Sequence, residues 1–534
     1  MYKDGQYYIA NSEGRPIHLV GKMANRHGLI AGATGTGKTV TLQVLAETFS
    51  QAGVPCFMAD MKGDLSGISQ AGRLSGFIEK RMPEFGIENP QFSGCPTRFF
   101  DVFGEQGFPM RATISAMGPQ LLARLMQLTE VQSGVLNAVF RIADDNGLLL
   151  IDLKDLKLML DFVGKNAAKF TTEYGNIAPA SIGAIQRAVL QIESEGGDKF
   201  FGEPAFDVED LFAVENGRGV MNVLVADRLM LNPKLYSTYL LWLMTEIYAR
   251  LPEVGDLEHP KFVFFFDEAH MLFDGTSKAL VDKIEQVIRL IRSKGVGIYF
   301  ITQVPSDVPV SILAQLSNRV QHALRAYTPQ DQKAVRAAAQ TFRANPAFKT
   351  EDAILDLSTG EALVSFLDEK GAPCMVDRAK ILFPLSQIGA ITPGQRMDIQ
   401  AAAPAKIKEY ENYFDRESAF EILTEINRQV EEEKKEQAEA KTKAKTQPSG
   451  SRKSSGIGRT ILGTMIAAAA TSFARSAGTQ IAKNIGSGKK TTTTKSTSKT
   501  SGSLLGDAVK KATQTAATTA TRKVTTEILK NILK

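Results

Sequence analysis

The chain has 534 residues, of which 43% are hydrophobic, so it is long enough for several domains with buried cores. Its three cysteines, Cys56, Cys95 and Cys374, lie far apart without Cys-x-x-Cys or Cys/His spacing, which argues against a disulfide framework and a zinc site. The net charge of +5 combines an acidic main part, 45 basic against 56 acidic residues, with a basic segment 441–534, so the main part does not indicate an indiscriminate nucleic-acid-binding surface.

The N-terminal residues 1–20 contain no basic region followed by an apolar core, so a secretory signal is not predicted. The cysteine pattern favours a reducing compartment, and we therefore expect a cytoplasmic protein. No apolar run reaches the roughly 20 residues of a transmembrane helix, so no transmembrane segment is predicted.

The stretch Gly32–Thr39, GATGTGKT, matches the pattern G-x-x-x-x-G-K-[ST]. It follows an apolar run, HGLIAG, that predicts a buried strand, and it precedes TVTLQVLAETFSQAG, whose apolar spacing predicts a helix. This order builds a phosphate cradle at a helix N-terminus, and Lys38 then reaches the β and γ phosphates while the Thr39 hydroxyl binds Mg²⁺. The predicted ATP-binding residues are Gly32, Ala33, Thr34, Gly35, Thr36, Gly37, Lys38, Thr39 and Val40.

A further apolar strand, VPCFMAD, runs into MKGDLSG. This arrangement places Asp60, Lys62 and Asp64 beside the same edge of the predicted sheet. The sequence alone leaves their role open.

Helical apolar spacing in GPQLLARLMQLTE and SIGAIQRAVLQIESEGG predicts a helical subdomain inserted at residues 105–210. Residues 1–104 and 211–400 then form the two parts of one core. The core resumes at the strand-like GRGVMNVLVAD, and the helix after it carries the sole tryptophan, Trp242. We interpret Trp242 as core or interface packing and not as a base-stacking residue.

The run Lys261–Phe266 is apolar throughout, as in a central parallel strand buried on both faces. Asp267 and Glu268 follow at its carboxyl end, where Asp267 is predicted to hold Mg²⁺ through water and Glu268 to act as the general base. An alternative is a strand that runs out into solvent, but the phosphate-binding loop (P-loop) predicted at Gly32–Thr39 favours the catalytic interpretation. The letters DEAH also occur in superfamily 2 helicases, yet no later glycine-flanked pair of arginines follows here.

Another buried strand, Gly297–Thr302, ends in the polar Gln303. A glutamine at this position can hydrogen-bond both the γ-phosphate and the attacking water, so it would report whether the nucleotide is intact. The alternative is simply a polar residue that ends a strand.

Four segments carry a more specific signal: PKFVFFFDEAHMLFD, IRLIRSKGVGIYFITQVPSDVP, LAQLSNRVQHALRAYTPQDQKAVRAAA and STGEALVSFLDEKGAPC. Over residues 5–400 the chain resembles the HerA-like members of the HerA/FtsK superfamily of P-loop ATPases. The resemblance implies an α/β fold with a RecA-like core, a three-layer αβα arrangement around a mostly parallel sheet. It also implies a hexameric ring with ATP between subunits and DNA as the polymer that is moved.

In this superfamily an arginine from one subunit completes the site of its neighbour and stabilises charge on the transferring phosphoryl group. The resemblance points first to Arg319, in SNRVQH, then to Arg325, with Arg289 and Arg292 ranked below them. Each of these arginines could instead be a surface ion-pair partner.

Residues 401–432 are predicted to form a helical extension, and residues 433–534 a low-complexity linker and basic tail. Two pieces of the tail, TILGTMIAAAATSFARSAGTQIAKNI and SLLGDAVKKATQTAATTATRKVTTEILKNILK, have loosely helical spacing. Residues 441–534 hold 18 Lys or Arg and two acids, so the tail could meet a protein partner, a nucleic acid or an anionic lipid surface. A solvated flexible tail is the alternative.

The sequence thus predicts a Mg²⁺-dependent ATPase motor, a hexameric ring that moves DNA. The acidic main part keeps a second hypothesis open, an ATP-operated switch or assembly platform that acts on protein partners without DNA translocation. A small-molecule kinase is disfavoured because Glu268 and Gln303 suit the activation of water.

Overall fold

A computed structural model of the protein describes residues 1–255, 257–274 and 276–445. The basic tail beyond residue 445, with its two predicted helical pieces, lies outside the described residues. Within these ranges, no helix combines the length and the apolar character needed to cross a membrane.

Strands and helices alternate in residues 28–101 and 221–340, whereas residues 114–200 form a series of helices. The strands are β1 (Tyr2–Lys3), β2 (Gln6–Ser12), β3 (Arg15–Leu19), β4 (Gly28–Ala31), β5 (Cys56–Asp60), β6 (Thr97–Asp101), β7 (Phe108–Pro109), β8 (Val214–Glu215), β9 (Arg218–Gly219), β10 (Met221–Val225), β11 (Phe262–Phe266), β12 (Val296–Thr302), β13 (Asn318–Gln321), β14 (Glu361–Ser365) and β15 (Asp377–Ile381). The helices are α1 (Lys38–Gln51), α2 (Gly76–Arg81), α3 (Ile114–Leu125), α4 (Glu130–Asp145), α5 (Leu153–Lys165), α6 (Ala167–Tyr174), α7 (Pro179–Ile192), α8 (Asp198–Phe200), α9 (Pro233–Arg250), α10 (Lys278–Ile291), α11 (Val310–Leu313), α12 (Pro329–Gln340), α13 (Thr350–Asp356), α14 (Pro393–Ala402), α15 (Ala405–Lys408) and α16 (Ala419–Lys445).

One large sheet organises the structure, in the order β1-β2-β15-β14-β13-β4-β12-β11-β5-β10-β6-β7, with β3 paired to β2. The strands from β13 to β7 run parallel, and those from β14 to β1 pair antiparallel. The α/β class and the mostly parallel sheet predicted from the sequence are therefore confirmed.

The central strands are apolar throughout because helices cover both of their faces. In β11 every residue from Phe262 to Phe266 is fully buried. Alternate side chains, such as Val263 and Phe265, join the core cluster under helix α1, where the ring of Phe49 lies 6.1 Å from that of Phe265 and 5.9 Å from that of Tyr299. The period of two along each strand assigns the intervening phenylalanines to the opposite face.

Contacts divide the chain into two compact units. The first, residues 1–129 and 187–415, contains the whole large sheet. The second joins residues 130–186 to residues 416–445 of the described chain, and in it the Asp155 carboxylate accepts the backbone N–H of Phe420 at 2.9 Å. The subdomain 105–210 predicted from the sequence stays a proposal, since the contacts group only its middle part with the C-terminal helix.

A buried histidine, His27, precedes β4 and holds two neighbouring segments together. Its ring Nε2 donates to the carbonyl of Ile288 at 2.9 Å, and its Nδ1 accepts the backbone N–H of Ile298 at 3.1 Å. Both contacts require the neutral ring with the proton on Nε2. Burial accordingly lowers the pKa of His27 to about 4.

This histidine should make the first unit less stable in mild acid. Its folded pKa lies below the unfolded value, so its contribution to stability is present above pH 6.5 and is lost as the pH falls toward 4, by roughly 3 kcal/mol in full. Trp242 is only 3% exposed in α9, so its fluorescence can report urea denaturation of this unit between pH 7 and pH 4.5.

The matched variant is His27→Asn, since asparagine tolerates the left-handed backbone, φ 57°, at this position. Its denaturation midpoint should fall less steeply with decreasing pH than that of the unaltered protein. Equal slopes for the two proteins would contradict the assignment.

Candidate active site

The parallel strands bring most of the residues predicted for the site to one edge of the sheet. The loop Gly32–Thr39 follows β4, Gln303 follows β12, Asp267 and Glu268 follow β11, and Asp60 ends β5. These strands are neighbours in the sheet and point the same way, so their carboxyl ends lie side by side.

The glycine-rich loop is built for a close approach to its backbone. Gly32, Gly35 and Gly37 have φ values of 155°, 78° and 114°, a region that glycine adopts readily. Helix α1 then begins at Lys38 without a side-chain cap and without an acidic residue in its first turn. Its first N–H groups therefore lack a side-chain acceptor, which is the arrangement that a phosphate group satisfies.

The Lys38 side chain contacts the first residues of this loop. Its ammonium donates to the carbonyls of Gly32 at 2.6 Å and Ala33 at 3.2 Å, and burial lowers its pKa. Charge-assisted hydrogen bonds to phosphate are stronger than those to a neutral carbonyl, so an incoming phosphate can replace these partners. The half-buried Thr39 is the next residue, on the first turn of α1.

Glu268 is held in an unusual conformation. Its backbone is left-handed, with φ 45° and ψ 52°, which is strained for a residue other than glycine. Its Oε1 accepts a hydrogen bond from the Lys62 ammonium, and its buried Oε2 lies 3.4 Å from Nδ1 of His270, without meeting the geometry of a hydrogen bond. Burial alone would raise the pKa of Glu268, but the hydrogen bond and charge of Lys62 outweigh it and hold that pKa below its ordinary range.

Carboxyl groups outnumber ammonium groups at this edge. Burial, followed by the charge of Asp64, raises the pKa of Asp60 to about 7, and burial followed by the charge of Glu268 raises that of Asp267 to about 6. A divalent cation bound beside these carboxyls would favour their ionised forms.

The described residues contain no cluster of three or more His, Cys, Asp or Glu side chains arranged to hold a metal alone. Mg²⁺ usually binds through one or two carboxylates together with substrate phosphates and water, so such a cluster is not required. Asp267 and Thr39 would hold the ion in that way.

Gln303 has an exposed side chain at the start of the turn after β12. Its backbone carbonyl accepts the N–H of Gly32 at 3.2 Å, which ties it to the glycine-rich loop. The Asp307 carboxylate fixes the turn by accepting the hydroxyl of Thr302 at 2.6 Å and the N–H of Val304 at 2.9 Å. These hydrogen bonds fix the turn that carries Gln303 beside the glycine-rich loop.

Sequence reasoning missed the residue that supports the loop from behind. His322, at the end of β13, donates from Nδ1 to the carbonyl of Glu361 at 2.8 Å and accepts at Nε2 from the hydroxyl of Thr41 at 2.7 Å. Burial lowers its pKa to about 4, so the ring is neutral near pH 7. It thereby links helix α1 to β14. The only signal in the sequence was its place in the motif SNRVQH.

A second unrecognised support comes from Arg81. This buried guanidinium donates to the carbonyls of Thr359, Gly360 and Ile381 at 3.0 to 3.1 Å. The turn that it holds contacts the loop directly, because the N–H of Gly360 donates to the carbonyl of Thr36 at 2.9 Å. The glycine-rich loop is therefore braced by residues far away in the sequence.

Arg319 occupies a different position from the other predicted site residues. It pairs with Leu29 near the start of β13, and its guanidinium donates to the carbonyls of Leu313, Leu316 and Thr341 at 2.8 to 3.0 Å. These bonds join β13 to the ends of α11 and α12 within the same subunit. Its predicted action on a neighbouring subunit stays a prediction.

The packing around the loop predicts different effects for two glycine substitutions. Alanine at residue 35 meets no atom within 4 Å, so Gly35→Ala should lower the free energy of unfolding only by the backbone strain, about 1–2 kcal/mol. Alanine at residue 32 also meets the Cβ of His322 at 2.5 Å, which should add about 1–3 kcal/mol. Denaturation followed by Trp242 fluorescence measures both variants, and equal losses would contradict this packing.

Comparison with known proteins agrees with this geometry. A family model described as helicase HerA-like C-terminal matches residues 6–532. None of the curated proteins that were compared with the chain matches it.

Among solved structures, the bacterial conjugative coupling protein TrwBdeltaN70, in complex with sulphate, is 15% identical to this chain, with a TM-score of 0.50 over 74% of this chain and 91% of that one. TrwB in complex with ADP and Mg²⁺ is 15% identical, with a TM-score of 0.49 over 74% and 92% of the two chains. VirB4 of Thermoanaerobacter pseudethanolicus is 14% identical, with a TM-score of 0.46 over 71% and 97%.

At these identities the likeness to TrwBdeltaN70 shows a shared fold only, and it agrees with the RecA-like core predicted from the sequence. The family match is broader, because it spans the glycine-rich loop, the two acids after β11 and Gln303. The chain therefore belongs to the helicase HerA-like C-terminal family of P-loop ATPases.

Proposed function

We propose that the protein hydrolyses ATP with Mg²⁺ and that its subunits assemble into a hexameric ring that translocates DNA. The observation that carries the hydrolytic part is the convergence of Lys38, Asp267, Glu268 and Gln303 at one edge of a parallel sheet. The ring and the DNA rest on the family resemblance and are the further parts of the proposal.

Each residue at this edge has a role that its position supports. The first-turn N–H groups of α1 and the ammonium of Lys38 bind the phosphates, and Glu268 accepts a proton from the attacking water. Gln303 orients that water against the terminal phosphate. Asp267 and Thr39 would hold Mg²⁺, which would supply positive charge against the phosphate oxygens.

A ring also constrains where a catalytic arginine can lie. Head-to-tail interfaces join two different surfaces, so the surface that carries the nucleotide contacts another surface of the neighbour. The arginine should then lie away from the edge that holds its own P-loop. Arg325 follows the carboxyl end of β13 and so lies near its own P-loop edge.

Arg292 and Arg319 both meet this condition, whereas Arg325 does not, but the guanidinium of Arg319 already donates to three carbonyls of its own subunit. Arg292 is exposed and lies just before β12 begins, at the amino end of the parallel strands. A cavity of about 250 Å³ there is lined by Arg26, Arg289 and Arg292 among others. The exposed Arg289 pairs with Glu285 at 2.7 Å. We therefore place Arg292 first, with Arg289 beside it.

The polymer is the least constrained part of the proposal. Residues 1–440 carry 45 basic and 56 acidic residues, which favours keeping the alternative of an ATP-operated switch acting on protein partners. The basic segment 441–534 supports a contact with DNA, an anionic lipid surface or an acidic protein. The cysteine pattern supports a cytoplasmic location as part of the proposal.

Steady-state hydrolysis should separate these functions. The purified chain should hydrolyse ATP faster with double-stranded DNA, and this stimulation should weaken as salt rises. Glu268→Gln should lower the rate by roughly 10²–10⁴-fold through loss of the base, and Lys38→Ala should abolish it.

The control variant Glu351→Gln makes the same chemical change on the exposed face of α13 and should retain the rate. Hydrolysis indifferent to every DNA tested would reject the DNA motor and favour the switch. Hydrolysis that survives in both site variants would reject the site.

Mixing subunits should locate the catalytic arginine. Arg292→Ala should bind nucleotide but fail to hydrolyse it, and mixing it with Lys38→Ala should restore part of the rate. In an equal mixture about a quarter of the interfaces would combine an intact P-loop with an intact Arg292.

Arg319→Ala should behave differently. Three carbonyls lose their donor in this variant, so the substitution should lower its free energy of unfolding by about 1–3 kcal/mol. Because this defect lies within one subunit, mixing with Lys38→Ala should not restore any hydrolysis rate that the variant loses. Rescue of Arg319→Ala without any loss of stability would instead support Arg319 as the catalytic arginine.

A further inference from the structure

The two partners of the ion pair between Lys62 and Glu268 differ in how exposed and how constrained their side chains are. Lys62 lies just after β5, and its ammonium donates to Glu268 Oε1. The Lys62 side chain is 52% exposed, whereas that of Glu268 is 10% exposed. The backbone of Glu268 is also in the strained left-handed conformation. Glu268 is therefore fixed, while Lys62 has a flexible stem that can move its charge elsewhere.

This pairing conflicts with the role of Glu268 as a general base. A base needs a carboxylate oxygen within hydrogen-bond reach of the attacking water. Here Lys62 donates to Oε1, and Oε2 is buried 3.4 Å from Nδ1 of His270. Release of Oε1 by Lys62 would leave this oxygen more available to the attacking water.

The ammonium of Lys62 lies at the same edge of the sheet as the P-loop, because Lys62 follows β5 and bonds Glu268 after the neighbouring strand β11. After its hydrogen bond to Glu268, the charges of Asp267 and Asp64 help to raise the pKa of Lys62. The charge of Lys62 in turn assists burial in lowering the pKa of Lys38. Its charge therefore acts on the P-loop lysine and on the predicted Mg²⁺ ligand.

A terminal phosphate would compete with Glu268 for this cation. Like a phosphoryl side chain, it carries up to about two negative charges near pH 7, and it offers three acceptor oxygens. Glu268 offers one charge and an oxygen that the water needs. ADP lacks the terminal group, so it would leave the ion pair in place.

We propose that Lys62 is a positioning residue that senses the terminal phosphate: it exchanges Glu268 for that phosphate when ATP binds, and so frees the carboxylate for the attacking water. This inference rests on the proposed function and deepens it. In a purely structural role, this half-exposed ion pair would not distinguish ATP from ADP.

Equilibrium binding tests this exchange without depending on turnover. The full-length chain is titrated, with Mg²⁺ present, with ADP and with an analogue of ATP whose β,γ bridge cannot be hydrolysed. Lys62→Met should weaken binding of the analogue about tenfold and that of ADP by less than twofold. Lys62→Arg keeps the cation and should retain the preference for the analogue.

A double-mutant cycle then tests the competition itself. Glu268→Gln removes the carboxylate charge that holds Lys62, so it should tighten binding of the analogue severalfold. The same substitution in the Lys62→Met background should have no effect on that binding. Trp242 fluorescence during denaturation checks that each variant is folded, and Lys62→Gln replaces Lys62→Met if the latter is not.

The outcomes separate this inference from the proposed function. If Lys62→Met weakens both nucleotides equally, or if Glu268→Gln tightens binding in both backgrounds, Lys62 does not exchange partners, while the ATPase assignment stands. If the unaltered protein binds neither nucleotide, the proposed function fails and the exchange fails with it.

Discussion

The candidate site depends on the parallel alignment of four buried strands, β4, β12, β11 and β5. Their side chains are apolar on both faces, so polar groups appear only where each strand ends. Because all four run in the same direction, these ends meet at one edge of the sheet. Residues separated by more than two hundred positions, such as Lys38 and Glu268, thereby come to share one electrostatic environment.

Both lysines in that environment are satisfied by acceptors of their own chain. The carbonyls of Gly32 and Ala33 hold Lys38, and the carboxylate of Glu268 holds Lys62. Phosphate binding is therefore an exchange of partners, and affinity reflects the difference between the bonds made and the bonds given up. A terminal phosphate that displaces Glu268 from Lys62 would therefore affect the site in a way that the other phosphates do not.

The sequence predicted the parts of this arrangement that local pattern encodes. A strand buried on both faces appears as a continuous apolar run, and the glycine-rich loop has a fixed spacing, so β4, β11 and β12 could be recognised. Lys62 and Glu268 are 206 residues apart, and Thr41 and His322 are 281 apart, so no local pattern reports either pair. Arg319 shows the opposite problem, since the motif around it is distinctive but its three carbonyl partners depend on the packing of α11 and α12.

The left-handed backbone at Glu268 places a demand for activity against a demand for stability. Glycine would adopt the same φ without strain, so the fold alone would favour glycine at this position. A carboxylate side chain there lowers stability by an amount on the order of 1–2 kcal/mol. A fold that stays above its stability threshold tolerates such a cost, and the activity of the carboxylate would retain this residue. The conformation of one residue therefore records a compromise between stability and chemistry that composition and motif matching do not reveal.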